Sequence, residues 1–373
     1  MSDKLNILLI PENFPTDENP VAGIFMKDYI KAMQGFAEVT VFNSNPWYRG
    51  QYEEVEGARC FDLHLFAKKW KFPFNIAAYT YWERQSLNFA KKLPKPDLIH
   101  LHGTAQRGKW VAELAAHWNV PFAITEHTGP WSAISARPAI LKRVKGIMEK
   151  ADLVMPVSTH LEKEIFESGI KPKRTIVLGN PVDTDFFTLR KKPLTVTKRI
   201  LFVGRLDPFK GGLRTLKAFD QIKHDFPEYR LTIAGDGIEA DAIADFIETN
   251  QLDSCVEFLQ KQLSREEMRD LFHESTFLVF PSEFESFGLV AAEAMATGLP
   301  VVITDRTGPL DYSSRQNSIQ INPFQIEAGL RLCIDRITDF DQEQIRLILL
   351  ERYGFSTWSK RISENMRALC DNP

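Results

Sequence analysis

Glu285 and Glu293 stand eight residues apart in PSEFESFGLVAAEAMATGLPVV, residues 281–302. Glu285 lies just before Phe287-Gly288. Glu293 sits inside a run of Ala, Met and Leu with no basic residue close to it in sequence. A carboxylate buried without a partner is costly, so Glu293 needs hydrogen-bond donors. An ionised carboxylate accepts from two vicinal hydroxyls, and the small residues around Glu293 let a ligand come close. A helix starting at Phe287-Gly288 leaves the N–H groups of Phe287, Gly288 and Leu289 open to an anion, with Ser286 at the same end. Glu293 then lies about 7–8 Å further along the axis, at roughly 1.5 Å per residue. This spacing suits a diphosphate at the helix end and a nucleoside ribose beside Glu293. Glu285 faces the other side of the phosphates, where a donor sugar would lie. The alternative is an acidic residue ahead of a helix plus a core glutamate satisfied by protein groups.

Two cations point to the same chemistry. Arg205 and Lys210 follow the apolar run RILFVG (199–204) and precede a second helix. A helix N-terminus carries about half a positive charge and free N–H groups, so Arg205 and Lys210 there make a diphosphate site. Neither a Walker pattern nor G-x-G-x-x-G is present. Gly235-Asp236-Gly237, after RLTIAG, opens another helix and is read either as donor contact or as a plain turn. In the first half, Gly23 opens a helix where backbone can approach a ligand. HLHG (100–103) and TEHTG (125–129) end two strands and place His102 and His127 at one rim. His127 is expected to contact a polar substrate and His102 to serve on the acceptor side. A plain loop histidine is the alternative for each. Their spacing matches no zinc motif. Asp183-Thr184-Asp185 has the form of a metal–nucleotide D-x-D but falls in a linker, so no metal site is expected.

The elements that position these residues alternate. NILLI (6–10), EVTVF (38–42), DLIHL (97–101), PFAIT (121–125), DLVMPV (152–157) and RTIVLG (174–179) read as strands of a first domain. RILFVG (199–204), RLTIAG (230–235), VEFL (256–259), FLVFP (277–281) and PVVIT (300–304) read as strands of a second. Helical patterns lie between most of them. Continuous Val/Ile/Leu strands separated by helices predict parallel sheets covered on both faces. The chain's 373 residues suit two such domains. Residues 181–198 form the linker candidate, and the last helix, about 355–370, is expected to cross back to the first domain. Ligands of open α/β sheets bind beyond the carboxyl ends of the strands, so two facing domains would hold substrate in a cleft.

These segments together resemble glycosyltransferase family 4, the large retaining family with the GT-B fold, of the bacterial cell-surface polysaccharide type. PSEFESFGLVAAEAMATGLPVV is similar to its E-x7-E signature, with Glu285 and Glu293 as the two ends. FVGRLDPFKG, IAGDG, VMPVS, GNPVDTDFF and TEHTG fall in the family's order, with departures at Pro181, Gln260 and Asp311. The resemblance implies two Rossmann-like domains: residues 1–184, with 355–373 packing back, bind the acceptor, and 185–354 bind the nucleotide sugar. It implies that Arg205 and Lys210 stabilise the leaving diphosphate, Glu285 the donor-sugar hydroxyls and Glu293 the ribose, with His127 in the active site. It also implies hexosyl transfer with retention and no required metal or other cofactor. The acceptor would be a glycan or a lipid-linked sugar. A sugar-nucleotide epimerase or hydrolase on the same fold and a non-catalytic sugar-nucleotide-binding subunit are the competing readings.

Composition fits a globular protein: 44% hydrophobic, 25% charged, net charge −3. Four separated cysteines without a C-x-x-C pair suit a reduced cytoplasm. No signal-peptide pattern or transmembrane run is read, and nucleic acid is not an expected partner. Residues 59–150 carry fifteen Lys and Arg against six Asp and Glu. Within them FAKKWKFPFNIAAYTYW (66–82) joins three lysines to seven aromatics, and RPAILKRVKG (137–146) adds charge. Basic heads and amphipathic rings together suit an anionic interface. The expectation is a cytoplasmic protein with peripheral contact at the inner face of the cell membrane, the alternative being core aromatics beneath a solvated basic face.

Overall fold

The computed structural model describes residues 4–16, 18, 19, 22–50, 52–66, 74–105 and 108–371. The chain divides into two units, residues 1–181 with 356–373, and residues 182–355. Unit 1 contains β1 (Leu5–Ile10), β2 (Ala37–Ser44), β3 (Glu54–Val55), β4 (Ala58–Leu63), β5 (Leu98–His102), β6 (Phe122–Glu126) and β7 (Leu153–Pro156). They form one sheet in the order β3-β4-β2-β1-β5-β6-β7, parallel except for the β3–β4 pair. The sequence order reverses between β1 and β5, which opens a crevice at their carboxyl ends. β5 and β6 are buried along their whole length, yet they carry His100, His102, Thr125 and Glu126 at or near their ends.

Unit 2 contains β8 (Arg199–Val203), β9 (Arg230–Ala234), β10 (Val256–Leu259), β11 (Phe277–Phe280), β12 (Val301–Thr304) and β13 (Ser318–Ile321). The order is β10-β9-β8-β11-β12-β13, parallel throughout, and its reversal lies between β8 and β11. The helix Leu289–Ala296 after β11 is buried almost all round: Ala291, Ala292, Glu293, Ala294, Met295 and Ala296 are all inside. Such a helix belongs to a core, and here it packs against the helix Gln342–Tyr353.

The structure departs from the strand pattern expected from sequence in three places. The short β3–β4 pair and β13 are additional strands. RTIVLG (174–179) is not a strand: only Thr175 bridges to Val154. Its later carbonyls are taken by side chains of the last helix, Phe355–Asp371. Trp358 Nε1 donates to the Gly179 carbonyl at 3.0 Å, and Arg361 donates to those of Leu178 and Val177 at 3.2 and 2.8 Å. The segment still pairs with β7 through the Ile176 N–H to the Val154 carbonyl and the Leu178 N–H to the Pro156 carbonyl. Pro156 has no N–H to give the Ile176 carbonyl, so the ladder stops after one bridge. The Trp358 and Arg361 bonds fix the last helix on unit 1, where it buries Trp358, Ile362, Met366 and Leu369 at helical spacing.

Candidate active site

In unit 2, the loops after β8 and β11 meet at the sheet's reversal point. Lys210 Nζ lies 2.5 Å from Glu285 Oε2, both side chains largely covered. Glu283 N–H donates to the Phe209 carbonyl at 2.8 Å, and Arg214 bonds the Glu283 carboxylate at 2.7 Å. Asp207 organises the first loop: one oxygen takes Arg205 Nε at 2.6 Å and the other takes the Lys210 N–H at 3.1 Å. Arg205 reaches outward from this anchor with its side chain 72% exposed, where it can meet a ligand.

The helix Leu289–Ala296 is capped by Gly288 in the left-handed region, φ +79°. A Cβ there would lie 2.6 Å from Pro309 Cγ and 2.9 Å from Tyr312 Oη, so conformation and space both require glycine. Tyr312 Oη lies 2.9 Å from the Phe287 carbonyl and 2.8 Å from that of Gly288, and its proton is shared between them. The first N–H groups of a helix have no partner within the helix, and these belong to the turn that Tyr312 holds. Burial, then Glu285, Tyr353, Asp311 and Glu293, hold the Tyr312 phenol well above its ordinary pKa, so it stays a donor. Glu293 is 5% exposed, one turn into the helix. Ser286, Phe287 and Leu289 surround the same helix start. Asp236 caps its own turn through Gly237 N–H at 2.8 Å, and the close approach at Gly235 is to the Gly204 carbonyl.

In unit 1, the carboxyl ends of β1, β5 and β6 surround a cavity of about 380 Å³ lined by Glu12, Asn13, His127, Thr128 and Arg137 among others. Glu126 ties its walls together. It accepts from Thr104 Oγ1 and Thr128 Oγ1 at 2.6 Å, and from the N–H groups of His127 and Thr128 at 3.0 Å. His127 lines the cavity, partly covered. His102 does not: it is 1% exposed and lies beneath His127, with Nδ1 2.9 Å from His127 Nε2. Direct acceptor contact by His102, expected from sequence, is therefore corrected, because β5 ends inside the core. Tyr29 packs edge-on against His102 and donates to Asn180 Oδ1 at 2.7 Å. Burial pushes the His100 imidazole down to about 3, with His127 acting in the same direction. Burial, then His100 and His127, holds His102 well below its ordinary value, and burial also lowers His127. Gly23, φ +69°, lies close to the Asn13 carbonyl, so the approach it permits is between two segments of the chain itself.

The chain matches the family described as "Glycosyltransferase Family 4" over residues 22–186 and "Glycosyl transferases group 1" over residues 185–328. Together these span well over half of its length. The chain belongs to glycosyltransferase family 4. Glycogen synthase of Mycobacterium tuberculosis is 27% identical to this family 4 chain over 255 residues, 66% of the chain and 61% of the synthase. The chain thus spans about three fifths of that relative. The uncharacterised glycosyltransferase YqgM of Bacillus subtilis is 24% identical over 350 residues, 92% of the chain and 90% of YqgM. Sucrose-phosphate synthase of Thermosynechococcus elongatus shares the GT-B fold, with TM-score 0.81 and 18% identity over 99% of this chain and all of that one.

Family membership leaves some of the sequence signals without a place in the site. Asp183 accepts the Phe186 N–H at 3.1 Å, so the D-x-D lies in a turn. Among the described residues no three His, Cys, Asp or Glu side chains gather as a metal would need. No described helix is long and apolar enough to cross a membrane. Asp207, Tyr312 and Glu126 were missed by sequence reasoning. Glu126 had a legible signal, a carboxylate closing a buried strand just before His127. Asp207 and Tyr312 act on other residues' backbone, which spacing does not reveal.

Proposed function

We propose that this chain transfers a hexosyl group, with retention of configuration, from a nucleotide-diphosphate sugar to a glycan or lipid-linked acceptor in cell-surface glycan synthesis. One observation carries the reading: Lys210 and Glu285, 75 residues apart, meet in front of a helix that opens at Gly288 and buries Glu293. The diphosphate takes the helix N-H groups, Lys210 and Arg205, and the ribose diol takes Glu293. Glu285 accepts from donor-sugar hydroxyls while Lys210 turns from it to the phosphates. The acceptor oxygen bonds to the anomeric carbon as the carbon–diphosphate bond breaks on the same face, and the acceptor's proton passes to the departing phosphate. Cations and a helix end supply the charge stabilisation, so no metal or other cofactor is required.

Incubation with a panel of UDP-, GDP- and ADP-sugars tests this. Nucleotide release that needs a glycan or lipid-linked acceptor supports transfer. Equal release without acceptor would replace it with a hydrolase or epimerase, and no release or binding with any donor would leave a non-catalytic role.

The membrane part of the proposal rests on unit 1. The helix Pro138–Met148 and the helix Gly108–Trp118 border a groove of about 800 Å³. Lys109, Lys142, Arg143, Lys150 and Lys173 line it over an alanine floor, with Glu113 and Asp152 among them; Arg143 is paired with Glu83 and Lys173 with Asp152, each at 2.8 Å. It lies at the amino ends of β6 and β7, the opposite end from His127. Such a basic rim suits an anionic lipid surface. Lys68, Lys69 and Lys71 of the other basic segment lie outside the described residues. Co-sedimentation with anionic vesicles, reduced by Lys142→Glu and Lys150→Glu, is the expected result; equal binding to neutral vesicles, or none, contradicts it.

A further inference from the structure

His102 and His127 share one hydrogen bond, Nδ1 to Nε2 at 2.9 Å, with their ring planes within 15° of each other and the centroids 5.1 Å apart, edge to edge. Burial keeps both imidazoles neutral, so each carries a single ring proton. Only two arrangements exist. If His127 donates, His102 must hold its own proton on Nε2, which is buried and has no partner. If His102 donates, the buried Nε2 is a bare lone pair and His127 carries its proton on Nδ1. A buried N–H without an acceptor is the rarer defect. The surroundings offer His102 Nε2 no acceptor: Tyr29 and His100 pack their rings against it, and the Tyr29 hydroxyl is committed to Asn180.

We infer that His102 is a positioning residue that donates Nδ1–H to His127 Nε2 and so fixes His127 as a neutral donor whose Nδ1–H serves a substrate oxygen in the unit 1 cavity. His127 is then not a proton carrier, because its second nitrogen is occupied by His102 in every turnover. Among the described residues, the charged and titratable groups that face it are His100, His102 and Glu126 from the strands and Tyr29 from the helix Met26–Met33, with Glu12 and Arg137 across the cavity. Glu126 holds the His127 backbone rather than its ring. The tautomer assignment stands on this geometry alone; the use of the Nδ1–H by substrate rests on the transferase reading.

Long-range 1H–15N correlation spectra of histidine-labelled protein read the tautomer without any substrate. The expected wild-type result is His127 protonated on Nδ1 alone, unchanged between about pH 5 and 8. His102→Asn keeps an amide donor near the Nδ1 position, whereas His102→Phe removes it. The Asn variant should keep the Nδ1–H form and most of kcat. The Phe variant should mix tautomers and lose kcat by up to about 10²-fold with donor KM little changed. A His127 protonated on Nε2, or titrating near neutrality, overturns the assignment, as do equal kcat values for the wild type and Phe variant. If the Phe variant fails to fold, the wild-type spectrum and the Asn variant still decide it. If the wild type transfers no sugar, the transferase reading fails while the spectra still report on the histidine pair.

Discussion

Lys210 and Glu285 hold opposite charges 2.5 Å apart in a largely covered position, so neither can be removed without stranding the other. Their coupling is a measurable quantity. Lys210→Ala should reduce single-turnover transfer about 10²- to 10³-fold, since it removes a donor from the developing charge. Part of that loss reflects an unpaired Glu285, so the double variant with Glu285→Ala should lose less than the two single effects combined. Strict additivity in that cycle would mean that the pair does not act together. At this scale the sequence was informative about residue type and reticent about partners. Glu285, Glu293, Arg205 and Lys210 were visible as chemistry. The Lys210–Glu285 bond, the Asp207 anchor and the burial of His102 depend on contacts between distant segments, which no local pattern encodes.

At the scale of elements, site precision comes from helix starts and strand ends. The helix after β11 begins at a glycine whose conformation and neighbours exclude a side chain. Gly288→Ala would force a left-handed alanine, costing about 1–2 kcal/mol, and would press its Cβ on Pro309 and Tyr312. A lower melting temperature together with weaker nucleotide-sugar binding is expected in paired thermal scans with and without donor; an unshifted melting temperature would contradict the packing argument. Strands were legible from continuous apolar runs because a parallel sheet buries both faces. The segment 174–179 looked the same and is not a strand, because Pro156 of β7 has no N–H to give the Ile176 carbonyl and the pairing stops after one bridge. The β3–β4 pair escaped notice for the converse reason: its residues are half-exposed and mixed in character.

At the scale of the whole molecule, both units place chemistry at the sheet's reversal point, β1–β5 in one and β8–β11 in the other. Two units with parallel sheets were readable from the alternation of elements. Unit 1 carries a cost for its arrangement. His100 and His102 are buried neutral, with folded-state affinities for protons below the unfolded value of 6.5. The unfolded chain therefore binds more protons below that pH, and stability is complete above 6.5 and lost as pH falls toward 3. Denaturant unfolding should show a fall of about 1.4 kcal/mol per pH unit for each of these imidazoles. His100→Gln should flatten the dependence; an unchanged slope would place its cause elsewhere.

On the proposed function, Glu293 lies buried in an apolar helix to bind the ribose of a nucleotide sugar. Calorimetric titration of wild type and Glu293→Ala with UDP-, GDP- and ADP-sugars tests it most directly. One sugar nucleotide is expected to bind the wild type and to lose most of its affinity in the variant, while circular dichroism shows both proteins folded. Equal affinity in the two, with the fold intact, would make Glu293 a core residue satisfied by the protein and would contradict the claim.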